Sequence, residues 1–116
     1  MEKDCIFCKI ANKEIKTEII YENKNFLAFP DANPKTKGHT LIISKKHFTN
    51  SLDMPTSLGN EIIETIKIIA EKKLKEKDIE GFNILQNNFP IAGQVIMHAH
   101  FHFLPRRKND GIKIIG

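Results

Sequence analysis

The segment His98-Ala99-His100-Phe101-His102-Phe103-Leu104 constrains this chain more than any other. Histidine and apolar residues alternate with period two, the side-chain period of a β-strand. On a strand, all three imidazoles project from one face while Ala99, Phe101 and Phe103 pack on the other. Same-face neighbours stand about 7 Å apart along the backbone, so the histidines form a line along which a substrate can lie. Three chemistries suit such a row. It can hold a metal, since imidazole is a common zinc ligand. It can supply a histidine nucleophile or an acid–base pair. Or the histidines simply cover a solvent face. Three in strict alternation, in a chain with only 5, argue against the last.

The remaining pattern supplies partners for this strand. Ile19 to Glu22 reads as a strand, Asn23-Lys24-Asn25 as a turn and Phe26 to Phe29 as the paired strand. Pro30 to Gly38 is a loop, and His39 to Ser44 a third strand with an apolar Leu41-Ile42-Ile43 centre. Phe82 to Gln86 is the fourth, Asn87 to Gly93 a loop, and Val95 to Leu104 the fifth. A short helix over 5–13 is expected, with Asp4 as its N-cap. A long helix follows Asp53 or Thr56, either of which can cap it, with Pro55 tolerated in the first turn. Leu58, Ile62, Ile63, Ile66, Ile69, Ala70 and Leu74 recur at helical spacing and form its core face. The expectation is an α+β fold: an antiparallel five-stranded meander with one long and one short helix.

With 116 residues, 41% hydrophobic and 28% charged, the chain suits one compact domain over 1–116. No apolar run approaches the ~20 residues of a membrane span. The start, Met1-Glu2-Lys3-Asp4, has no apolar stretch behind it, so no secretory signal is expected. A cytoplasmic location, or a nuclear one, is the default. The net charge of +4 suits an anionic ligand. Arg106 and Arg107 are the only arginines, so sequence-specific reading of nucleic acid is poorly provided for.

Cys5 and Cys8 form a C-x-x-C. Such a pair is a redox couple or half of a metal site. The redox motif wants a strand before it, and only four residues precede Cys5. A metal would need two further ligands from His39, His47, His98, His100 and His102.

These residues together resemble the histidine-triad (HIT) superfamily. His98 to Leu104 matches its H-φ-H-φ-H-φ-φ signature, with Gly93-Gln94 ahead of it and Pro105-Arg106 behind. Cys5-Ile6-Phe7-Cys8-Lys9-Ile10 is similar to the usual opening, and Gly38-His39-Thr40-Leu41-Ile42-Ile43 to the second motif. The resemblance spans nearly the whole chain. It is closest to the small nucleotide-binding branch named for protein kinase C interaction.

The resemblance implies hydrolysis at the α-phosphorus of a purine nucleotide, such as an adenosine phosphoramidate yielding AMP, without a catalytic metal. His100 would be the nucleophile and form a nucleotidyl-histidine. His102 would bond the phosphoryl oxygens or assist proton transfer. Asp31 would hold the ribose hydroxyls, although a residue after Pro30 also suits a plain turn. Asn87, Gly93, Gln94 and Val95 would line the phosphate site, and His39 would support it. Asn87 also suits a strand-end turn, and His39 a structural role. Val95 stands where such members often carry Ser or Thr, so only its backbone N–H could serve. A structural zinc would be held by Cys5, Cys8, His47 and His98; otherwise the two cysteines are buried thiols. A homodimer formed by sheet extension is implied as well. Rival readings are a dinucleoside polyphosphate hydrolase, a nucleotide-binding scaffold with incidental turnover, and a three-histidine metal hydrolase.

Overall fold

The computed structural model describes residues 4–116; Met1, Glu2 and Lys3, on which the leader expectation partly rests, lie outside the described residues. In chain order the elements are α1 (Ile6–Ala11), β1 (Tyr21–Glu22), β2 (Phe26–Pro30), β3 (Thr40–Ser44), α2 (Gly59–Lys75), β4 (Gly81–Leu85) and β5 (His100–Arg106). The five strands form one antiparallel sheet in the order β1-β2-β3-β5-β4. The first three follow one another as a meander. β5 then enters between β3 and β4, so strand order departs from chain order at that step. The connection through α2 spans the gap that β5 fills. The histidine strand is therefore internal, with Leu41 opposite His102 on one side and Leu85 opposite it on the other.

The sheet is covered on both faces, which is why β2 and β3 read as unbroken apolar runs. Phe26, Ala28, Ile42 and Phe103 pack against Ile62, Ile69 and Ala70 of α2. Leu27, Phe29, Leu41 and Ile43 pack against Phe7 and Ile10 of α1. α2 is pinned to the β1–β2 turn. Asn25 donates from its backbone and its side chain to Glu61, each at 2.7 Å. Asn23 Nδ2 donates to Thr65 Oγ1 at 2.8 Å.

Four local expectations are corrected. α1 is capped by Cys5, whose sulfur accepts the Cys8 N–H at 3.4 Å, and not by Asp4. Neither Asp53 nor Thr56 caps α2: a single 3-10 turn, Thr56–Leu58, runs directly into it. The Asp53 carboxylate instead accepts the Thr49 and Asn50 amides. On α2, Ile63 and Leu74 are exposed, while Thr65 is fully buried because Asn23 and the Glu61 carbonyl satisfy its hydroxyl. Finally, β5 starts at His100 rather than Val95. The Ala99 N–H leaves the ladder for the Phe48 carbonyl at 2.6 Å, and His98 turns inward to the end of β3.

Candidate active site and metal centre

The α1 side of β5 carries the histidine row. The Phe7 ring sits edge-on to His98 and His100, with centroids 5.8 and 5.1 Å away, and His102 follows His100 at 5.2 Å. Phe7, His100 and His102 border a cleft of about 730 Å³ with an apolar floor that includes Phe29 and Leu41, and with Asp31 and His39 beside His102. An apolar cleft leading to polar groups suits a small ligand with an apolar body and a polar end.

Hydrogen bonds fix the proton on each ring. His100 Nδ1 lies 2.7 Å from the His98 carbonyl, which can only accept. Nδ1 therefore carries the proton, and Nε2 keeps an in-plane lone pair. For His102 the deduction takes two steps. The Lys35 N–H donates to His39 Nδ1 at 3.1 Å, so the His39 proton sits on Nε2. That proton is donated to His102 Nδ1 at 2.9 Å, which places the His102 proton on its Nε2. Asp31 Oδ2 lies 3.3 Å from the same His39 nitrogen, and Asp31 Oδ1 accepts the Asn33 N–H at 2.8 Å. The site thus presents a lone pair on His100 beside an N–H donor on His102.

Burial keeps His102 and His39 neutral. It pushes the His102 pKa down to about 4, helped by His100 and His39 and opposed by the Asp31 carboxylate. His39 is lowered for the same first reason, with Asp31 opposing. Asp31, His39 and His102 could also be read as a metal set, since their ligand atoms lie within 4.8 Å of one another. The Lys35 amide argues otherwise, because it holds a proton on the His39 nitrogen a metal would need.

The loop before β5 forms another wall of the cleft through Asn87, Gly93, Val95 and Ile96. Gly93 has φ +99°, and a Cβ there would come 3.2 Å from Asn87 Nδ2. That amide donates to the Gly93 carbonyl at 3.3 Å. Val95 is exposed at the mouth. Gln94, expected to line the site, is buried behind it with its carboxamide bonded to protein groups. Sequence reasoning missed Phe7 and the Lys35 amide. Phe7 lies inside the C-x-x-C, a position that could have drawn notice. A backbone donor leaves no sequence signal.

Cys5, Cys8, His47 and His98 converge beside the row, with ligand atoms within 4.8 Å of one another. His98 Nδ1 lies 3.2 Å from Cys5 Sγ and 3.5 Å from Cys8 Sγ, and His47 Nδ1 lies 3.3 Å from Cys8 Sγ. A tetrahedral zinc with ordinary bond lengths has S···N edges of about 3.5 Å, so the donors fit the ion. His98 Nε2–H donates to the Ser44 carbonyl at 2.7 Å, which leaves Nδ1 as the ligating atom. Burial, with His47 and His100 nearby, lowers the His98 pKa to about 4, so the ring is neutral as ligation requires.

A five-stranded sheet with this histidine row defines the histidine-triad class of protein, and the comparisons agree. The HIT domain matches residues 12–109. An uncharacterized HIT-like protein of Methanocaldococcus jannaschii is 45% identical over 107 residues, 92% of this chain and 82% of that protein. The adenosine 5'-monophosphoramidase of Saccharomyces cerevisiae is 37% identical over 100% of this chain and 71% of its own. A zinc-bound histidine triad family protein from Mycobacterium smegmatis superposes with a TM-score of 0.88 at 33% identity, covering 95% of this chain and 80% of its own. The chain belongs to the HIT family and is a hydrolase.

Proposed function

We propose that this hydrolase cleaves purine nucleoside phosphoramidates, releasing AMP from adenosine substrates, through a nucleotidyl-His100 intermediate. The observation that carries this reading is the His100 Nδ1–H bond to the His98 carbonyl, which leaves Nε2 unprotonated at the cleft. In the first step the Nε2 lone pair forms a bond to the α-phosphorus. The P–N pair leaves with the amine, which takes a proton from solvent. In the second step water attacks phosphorus and releases a proton to solvent, and the N–P pair returns to His100. Splitting the displacement lowers each barrier. His102 acts as an N–H donor to the phosphoryl oxygens, since its neutral ring has no second proton to give up. Asp31 takes the ribose hydroxyls with the acceptor sites left after Asn33 is satisfied.

Zinc at Cys5, Cys8, His47 and His98 is structural on this reading, because four protein ligands leave no open position. When bound, it ties the N-terminal turn to the histidine segment. The active form is a homodimer. β4 is an edge strand with partly exposed Ile84 and Leu85, and a second copy would pair that edge. The test is a base quench of protein turning over a labelled adenosine phosphoramidate. The label should be found on His100, and His100→Ala should retain AMP binding while losing turnover. Label on another residue would overturn the mechanism.

A further inference from the structure

Gln94 is buried, yet every polar atom of its carboxamide is engaged. Oε1 accepts the Phe89 N–H at 2.8 Å. Nε2 donates one hydrogen to the Thr49 carbonyl at 2.6 Å and the other to the Ile96 carbonyl at 3.0 Å. Its backbone N–H adds a bond to the Phe89 carbonyl at 3.2 Å. Two consequences follow. Phe89 is held at φ 76° and ψ 149°, a conformation that non-glycine residues adopt only when their surroundings impose it. And the side chain of residue 94 reaches the carbonyl of residue 96, so the Val95 peptide sits inside a small closed ring and cannot rotate by itself.

The Val95 N–H takes no partner among the described residues, in a segment that lines the catalytic cleft. Valine offers no side-chain donor there. We propose that Gln94 is a positioning residue. Its carboxamide clamps loop 87–96 against Thr49 so that the Val95 N–H is aimed at the phosphoryl group undergoing attack. This rests on the reading that His100 attacks phosphorus. A donor held in place before reaction stabilises developing charge without reorganising, and its worth is lost once the peptide can swing. Because the clamp acts on the transferring group and not on the nucleoside, its removal lowers kcat more than it raises KM.

The experiment uses the full chain with an adenosine phosphoramidate. Gln94→Met keeps the length and removes all three side-chain bonds; Gln94→Glu keeps the acceptor for Phe89 and removes both donors. Both should lower kcat by about 10- to 100-fold, a part of what loss of a whole oxyanion donor costs. KM should move less than about threefold, since a clamp makes no ground-state contact with the nucleoside. A rise in KM with unchanged kcat would make Gln94 a substrate ligand and overturn the proposal, as would kcat within threefold of the parent. A measurement on the parent protein covers failure of the variants to fold. The Val95 amide proton should move downfield when AMP binds and stay in place with adenosine, which lacks the phosphate. The same response to both ligands would overturn the proposal. The base-quench label on His100 in the parent reports separately on the underlying mechanism.

Discussion

Acidification is the perturbation that tests the buried, neutral state of His102. An unfolded histidine titrates near 6.5, and this ring is held near 4, chiefly by burial. Between those values the unfolded chain binds a proton that the native chain refuses. Stability therefore falls as pH drops below about 6.5, continues to fall to about 4, and is level above 7. From pH 7 to pH 5 the linkage for this one ring amounts to about 2 kcal/mol. The ring keeps some solvent contact, which trims the figure to ~1–2 kcal/mol. His98 and His39 pull in the same direction, so the parent's curve alone does not isolate His102. His102→Gln does, because its carbonyl can accept the His39 proton and carries no charge at any pH. Urea unfolding at pH 7 and pH 5, both proteins in chelator, should show the parent losing ~1–2 kcal/mol more than the variant. Equal losses would refute the reasoning, as would an NMR titration of His102 with a midpoint near 6.5. If it holds, the His102 donor stays in one protonation state across the physiological range.

Asp31→Ala should raise KM for a ribonucleotide phosphoramidate by roughly tenfold or more, the worth of one hydrogen bond to a charged group, and less for the 2′-deoxy analogue; equal effects would make Asp31 a turn residue. Protein purified without chelator should carry one zinc per chain by elemental analysis, and Cys5→Ser should lose it and melt at a lower temperature while His100 still takes the base-stable label. Near-zero metal with no effect of chelator on melting would leave Cys5 and Cys8 as plain thiols. Ile84→Lys on the β4 edge should convert a dimer to a monomer by light scattering, since a buried charge without a partner is costly; an unchanged mass would place any dimer contact elsewhere.

Much of the site was legible because its determinants are local. Alternation in His98–Leu104 specifies which side chains share a face, and the apolar runs of β2 and β3 marked them as strands. The spacing of Cys5 and Cys8 left a redox couple or half of a metal site open, and their grouping with His47 and His98 came from resemblance. Other features depended on contacts between segments far apart in the chain. That β5 lies between β3 and β4 is a pairing choice that no strand's own pattern states. His98 lies outside the strand, bonded to the Ser44 carbonyl and against both cysteines, so one histidine of the row sits in a different side-chain cluster from its neighbours. Gln94 reads as a ligand in the motif, yet three backbone groups claim its carboxamide. The proton on His102 is set by the Lys35 amide acting through His39. Sequence by itself determined which chemical groups face one another across a strand. Tertiary structure decided which atom of each group is free to react, because that depends on hydrogen bonds to backbone groups, which every residue carries and no side-chain pattern reveals.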